Sequence, residues 1–323
     1  MPAGLTERDS MMFTGETPWH GLGTKLDNPA TASEAIVAAG LDWAVVQRPV
    51  YTPNQAGHLV EIPNRLAVIR EDTDETFAIM SAGYMPSQNW DAFGATDALV
   101  AQGAAVYHTA GSLFGGRKIW LLIKLPDDIE IIKGDVIQPY LLLYNSHDGS
   151  QALRMVLTPI RVVCDNTLSV ALNQATGGFY AKHTRNIMSR VAEAREVLGL
   201  ADAYYTMFNR QIDQLVNSRL TALQTQDYLQ RVYEFDGEKT YEQQDYRRLR
   251  AYESTLDLLG HPSNTFGGIA GTKYAALNAV TYYVDHERSV GGSATEAGER
   301  RLNGSWFGMG AKIRQRAFDL LQV

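Results

Sequence analysis

Four stretches of this chain carry side chains that could do chemistry. Gly267–Lys273 reads GGIAGTK, and a glycine-rich backbone opening a helix attracts anions through its unpartnered N–H groups. A nucleotide-binding P-loop, however, needs Gly-Lys-Ser/Thr in that order after a strand, whereas Thr272 here precedes Lys273 in a helical stretch. The expectation is a helix capped by Thr272. Asn145–Ser150 reads NSHDGS, gathering His147 and Asp148 with two serines, and Cys164 lies downstream. Nucleophile–base pairs are built from such residues. Yet there is no Gly-x-Ser-x-Gly elbow, and Asp-Gly is foremost a hairpin signal. A turn is expected there, with Cys164 as a small buried hydrophobe on an apolar helical face. The seven histidines (His20, His58, His108, His147, His183, His261 and His286) form no His-Glu-x-x-His pair, and Cys164 is the only cysteine. No metal site and no cofactor are expected.

The fourth stretch is the most informative. Gly115–Leu125 reads GGRKIWLLIKL and sets Arg117, Lys118 and Lys124 beside Trp120. Arg154 and Arg161 fall on the next strand and the element after it, and Tyr107 and Tyr140 on neighbouring strands. Cations that track phosphates beside aromatic faces that stack bases are what single-strand binding requires. Arg117, Lys118, Trp120, Lys124, Arg154 and Arg161 are therefore the candidate DNA contacts, with Tyr107 and Tyr140 as candidate stacking residues. Strand alternation places Lys118 and Trp120 on one face and Arg117 on the other. A purely structural role for Trp120, in the core, stays open.

The elements that must position these residues change character near residue 160. A short helix over Ser33–Ala39 is followed by strand-like runs at Trp43–Tyr51, His58–Ile62, Leu66–Arg70 and Thr76–Tyr84. These runs are rich in β-branched and aromatic residues and bounded by turn formers. Ser87 or Asn89 caps a helix that ends at Gly103. Strands at Ala104–Gly111, Arg117–Leu125, Gln138–Ser146 and Gln151–Leu157 form a meander, and Thr158-Pro159 signals a further helix over Pro159–Leu172. The pattern predicts an α+β core, an antiparallel β-meander with helices on one face. Beyond Gly177-Gly178 apolar residues recur at helical spacing, over Ile187–Leu198, Tyr204–Val216, Leu249–Leu259, Tyr274–His286 and Ile313–Leu321. Two units are expected: 1–178 as an α+β core with an N-terminal arm, and 179–323 as a mainly helical domain.

Composition bounds the function. The 323 residues are 45% hydrophobic and 20% charged, with a formal net charge of −7. No apolar run approaches the roughly 18 residues of a membrane span, and the first residues, MPAGLTERDSMMF, lack the apolar core of a secretory signal. A single cysteine fits a reducing, cytoplasmic setting in a bacterial host. Residues 1–180 carry 11 Lys and Arg against 19 Asp and Glu, while residues 181–323 carry 18 against 17. A conventional basic DNA-binding domain is excluded. A local cationic groove is not, because whole-chain charge does not report how cations cluster.

Several separated stretches together resemble one family. TPWHGLGT (Thr17–Thr24), SHDGS followed by TPIRVVCDNTL, GTKYAALNAVTYYVDH and SWFGMGAKIRQRAF are similar to the phage/plasmid-like family known as domain of unknown function 932, from about residue 11 to the C-terminus. More remotely, a helix, a β-meander and a helix after the last strand resemble the core of phage-type single-strand annealing proteins. That likeness implies rings or filaments of identical subunits holding DNA between hairpin and meander, with Gly115–Leu125 as the hairpin and Pro159–Leu172 as the final helix. The helix departs from the pattern: it carries only Arg161 where a basic cluster is usual. The expectation is a mobile-element DNA-recombination protein that binds single-stranded DNA, promotes annealing as a homo-oligomer and hydrolyses no nucleotide. A host single-strand binding protein is a further candidate partner, and Trp19 and His20 are candidate subunit contacts. The alternative is a protein-binding accessory or counter-defence module built on an acidic, tyrosine-rich surface.

Overall fold

The β-branched runs of the first half pair into two sheets, and the second half is helical. The computed structural model describes residues 9–15, 23–27, 29–101, 105–161, 166–167, 179–181, 201–291 and 294–322. β1 (Met11–Thr14) and β2 (Thr24–Leu26) precede α1 (Ala32–Ala38). Next come β3 (Val45–Pro53), β4 (Leu59–Arg70), β5 (Thr76–Ser81) and α2 (Asn89–Ala101). The meander comprises β6 (Val106–Leu113), β7 (Lys118–Lys124), β8 (Ile129–Ile132), β9 (Asp135–Ser146) and β10 (Leu153–Arg161), then the short β11 (Asn166–Thr167) and β12 (Phe179–Ala181). The helical half contains α3 (Ala201–Asn217), α4 (Ala222–Val232), α5 (Tyr246–Leu258), α6 (Lys273–Tyr282), α7 (Ala294–Phe307) and α8 (Met309–Leu321). A π-helical turn, Tyr283–Glu287, continues the chain directly from the end of α6. The fold is α+β.

The larger sheet runs β11-β10-β9-β7-β6-β1-β2, with β12 on β10 and β8 on β9; it is antiparallel except for the parallel β1–β2 pair. Period-two alternation divides its strands between two cores. Ile119, Leu121, Leu141, Leu143 and Met155 face Ile36 of α1, Phe93 of α2 and Phe208 of α3. Trp120, Leu122, Tyr140, Leu142 and Tyr144 face the other way and are covered by Leu302 and Trp306 of α7. Both faces are thus dry around β7 and β9, which explains why these strands read as near-continuous apolar runs.

Two expectations change. The separate runs His58–Ile62 and Leu66–Arg70 form the single strand β4. Its pairing with β3 bulges between Glu61 and Leu66, where Pro63 lacks a ladder donor and Asn64 takes a left-handed φ of 60°; a bulge is where a strand tolerates proline. The helix expected over Pro159–Leu172 is not formed in its described part. β10 continues through Pro159, Ile160 and Arg161, paired with Pro139, Gln138 and Ile137, and Asn166–Thr167 is strand. Cross-strand burial beside β9 overrides the Thr-Pro start signal. The smaller sheet, β3-β4-β5, is antiparallel.

Candidate functional site

The structure takes four of the eight meander candidates, Trp120, Tyr107, Tyr140 and Arg161, out of reach of a nucleic acid. Trp120 is buried, its indole N–H donates to Thr109 Oγ1 at 3.3 Å, and its ring lies 6.1 Å from that of Trp306. Tyr107 is fully buried, its hydroxyl within 3.1 Å of Thr96 Oγ1 and 3.3 Å of the Phe93 carbonyl. Tyr140 is buried too, donating to Gln138 Oε1 at 2.9 Å. None of these rings can stack a base. Arg161 is fully buried in an ion pair with Asp135 at 2.6 Å. It joins β9 and β10 to the helical half through the Ser263 carbonyl.

The hairpin's remaining cations are partly exposed but engaged. Arg117 pairs with Glu75 at 3.0 Å, donates to the Phe77 carbonyl and lies over the Phe77 ring. Lys124 pairs with Asp128 at 3.1 Å. Lys118 shares Trp120's face, as alternation requires, and donates to Asn303 Oδ1 of α7 at 2.8 Å. Burial lowers its pKa, opposed by nearby Asp148. Arg154 is exposed on β10. Trp19, His20 and Cys164 lie outside the described residues. Trp120→Phe is therefore expected to cost roughly 1–2 kcal/mol of stability through lost volume and a lost hydrogen bond. It should change affinity for nucleic acid by less than about twofold; a urea melt beside a binding titration checks both.

Within NSHDGS, Asn145 and Ser146 close β9 and the turn follows at Asp148–Ser150, with Gly149 at a φ of 70° and Asp148 Oδ1 accepting from Ser150 N at 2.9 Å. His147 just before it is fully buried. Its Nε2 is 2.9 Å from Asn89 Oδ1, and its ring is stacked on Phe77 and edge-on to Trp43. Asn89 in turn donates to the carbonyls of Leu41 and Trp43, so the polar pair ties the start of α2 to the connection before β3 and to the segment just after β9. In GGIAGTK, Thr272 caps α6 by accepting from Ala275 N at 3.1 Å, and Lys273 donates to the Leu321 carbonyl. Among the described residues, no cluster of three His, Cys, Asp or Glu could hold a metal ion.

Unclaimed positive charge collects instead in the helical half. A cleft of about 640 Å³ is lined by Arg247, Arg248, Arg250, Arg288 and Arg316 with, among the described residues, one carboxylate, Glu234. Its floor is made by Tyr233, Ala251 and Tyr283, all buried, and its rim by Tyr246 and Met309, both exposed.

Local structure explains how the walls form. Asp245 caps α5 by accepting from the backbone N–H groups of Arg247 and Arg248, and helical spacing then places Arg247, Arg250 and Ala251 on one face. In α8, Met309, Ile313 and Arg316 repeat at the same spacing. The corner between α7 and α8 is tight: a Cβ at Gly310 would come within 2.8 Å of the Gly304 carbonyl oxygen and of Val284. The π-helical turn supplies Tyr283 and sets Arg288 just beyond it. Buried Asp285 of that turn is bound by Arg314 of α8 at 2.6 Å, with Ser305 bonded to both.

The five arginines divide by partner. Arg248 donates to the Glu234 carbonyl, and Arg316 donates to the Val232 carbonyl at 2.7 Å and pairs with Glu234 at 2.8 Å. These two close the C-terminus of α4, where cations suit the exposed carbonyls. Arg247, Arg250 and Arg288 have no ion pair among the described residues. Burial pushes the Arg288 guanidinium pKa down and the Tyr283 hydroxyl up, the latter opposed by Arg288 and Arg250 and reinforced by Glu287. Three guanidinium groups, a phenol and an exposed tyrosine ring at the rim make an anion site with a stacking surface. The sequence contained one signal for it. Three arginines in the first turns of a helix sit where the helix dipole disfavours positive charge.

The family model for the domain of unknown function DUF932 matches residues 76–307. The chain belongs to the DUF932 family. The matched span of this DUF932 chain runs from β5 through α7 and includes the meander and the α5 and Arg288 walls of the cleft, while α8 lies beyond it. No curated protein and no solved structure matches the chain. No helix of the described residues is long and apolar enough to cross a membrane.

Proposed function

We propose that this DUF932 chain binds single-stranded DNA and promotes strand annealing as a homo-oligomer, in the service of a mobile element. Its phosphate contacts would lie in the arginine cleft and not on the meander. One observation carries this reading. In a chain of net charge −7, the cleft lining holds five arginines against one carboxylate, and three of the five are left without a carboxylate partner among the described residues. A local field of this kind raises the concentration of polyanions despite the whole-chain charge, and Tyr246 on the rim offers the ring that sequence-tolerant stacking uses.

Fluorescence anisotropy with an unstructured oligonucleotide tests the binding. The expected result is saturable binding at low salt at micromolar protein, weakening by about 0.7 log units per phosphate contact for each decade of salt. Absence of binding at low salt overturns the reading. Mass measurement in solution tests the assembly, with rings or filaments expected. A second reading, a protein-binding module, has one feature in its favour: Tyr51, Leu59 and Val60 on the β3–β4 hairpin and Ile79 on β5 are exposed apolar side chains. Capture of a host protein that survives nuclease treatment favours that module.

A further inference from the structure

We infer that the cleft receives a strand end, with a terminal phosphomonoester held by Arg250 and Arg288 above Tyr283 and the adjoining base placed on Tyr246. This rests on the nucleic-acid reading and sharpens it to one part of the strand. The guanidinium groups differ in depth and in occupation. Arg248 and Arg316 are tied to Glu234 and to the end of α4, whereas Arg250 and Arg288 line the cleft with Tyr283 and outweigh Glu287 in the field at its hydroxyl. Arg288 is half-buried, its Nη1 only 3.4 Å from the point where a Cβ on Gly304 would stand. Its guanidinium therefore lies against the backbone of α7 at Gly304.

Holding the half-buried Arg288 without a carboxylate partner among the described residues, with the exposed Arg250 on the same cleft wall, is unfavourable unless an anion joins them. An internal phosphodiester brings one negative charge. A terminal phosphomonoester brings about −1.5 to −2 at neutral pH and three strong acceptor oxygens, and so matches two guanidinium forks and a phenol. The cleft also has a closed floor of Tyr233, Ala251 and Tyr283, which suits a chain terminus better than a backbone that must enter and leave.

The test compares one unstructured oligonucleotide in three forms, carrying a 5′-phosphate, a 3′-phosphate or hydroxyls at both ends, in anisotropy titrations of the full chain at fixed low salt. One phosphorylated form is expected to bind about tenfold tighter than the hydroxyl form, the gain of one added charge-assisted contact. That margin is expected to vanish in Arg288→Gln and to survive in Lys124→Gln, a surface change outside the cleft. Arg288→Lys keeps the charge but not the fork and is expected to retain only part of the margin. Thermal melts of each variant separate loss of the margin from loss of fold. Equal affinity for all three forms, with cleft variants still weakening each, overturns the strand-end assignment and leaves single-strand binding in place. A free deoxynucleoside monophosphate that competes as well as the strand end also overturns it. Failure of every oligonucleotide to bind removes the strand-end assignment together with the function it rests on.

Discussion

Asp135→Asn is expected to be among the most destabilising single substitutions in this chain, at about 3–5 kcal/mol, because it leaves a fully buried guanidinium without its counter-charge. Arg161 Nε lies 2.7 Å and 2.9 Å from the two Asp135 oxygens, and Nη2 lies 2.6 Å from Oδ2. Nη1 donates to the Ser263 carbonyl at 2.8 Å, and the guanidinium sits 5.3 Å from the Tyr274 ring centroid. The pair thus links the start of β9 and the end of β10 to the helical half, at the turn before α6 and at α6 itself. At roughly 2–4 °C per kcal/mol for a chain of this size, the loss should appear as a fall in melting temperature on the order of 10 °C. Removing both charges together, as in Asp135→Leu with Arg161→Met, should recover much of it, since no buried charge is then left alone. The exposed Lys124–Asp128 pair is the contrast: Asp128→Asn should cost less than about 1 kcal/mol. A melting temperature for Asp135→Asn within a degree or two of the parent chain would refute the account.

The same pair shows where sequence reasoning stopped. Arg161 reads as the lone cation at the start of a helix, because Thr158-Pro159 is a local start signal and apolar residues come after it at helical spacing. What decides its role is Asp135, 26 positions earlier, and Ser263, 102 positions later, and no local pattern encodes those contacts. Alternation along β7 was legible: Lys118 and Trp120 do share a face. What covers that face was not, because Leu302 and Trp306 of α7 belong to a helix whose strongest sequence feature is its charge. Element types follow from periodicity and capping, as at α1, where Thr31 and Glu34 form a capping box. Burial of a strand on both faces follows from chain returns that periodicity does not contain. The cleft was illegible for a related reason. Arg247, Arg248 and Arg250 are close in sequence, yet they form a site only because the π-helical turn brings Arg288 and the glycine-permitted corner brings α8.

Arg247→Gln combined with Arg250→Gln is expected to weaken single-strand binding by about 10- to 100-fold at low salt, taking each charge-assisted phosphate contact at the low end of roughly 1.5–3 kcal/mol and allowing for partial redundancy among neighbouring cations. Both residues are exposed on the first turns of α5, where a neutral side chain suits the helix dipole better than a cation. Stability should therefore hold or rise slightly, so a loss of binding cannot be assigned to unfolding. The salt dependence carries the more specific prediction. If the two side chains each neutralise one phosphate, the slope of log affinity against log salt should flatten by about 0.7 per contact removed, nearly 1.4 in all. Lowered affinity with an unchanged slope would mean that the arginines shape the cleft without touching phosphate. The paired hairpin variant, Arg117→Gln with Lys124→Gln, discriminates between the two surfaces. Those cations already answer Glu75 and Asp128, so their removal should leave both affinity and slope nearly unchanged. The opposite ranking, with hairpin variants losing binding and cleft variants keeping it, would return the interface to the meander, where a strand would reach only Arg117, Lys118, Lys124 and Arg154, because Trp120, Tyr107, Tyr140 and Arg161 are sealed in the core.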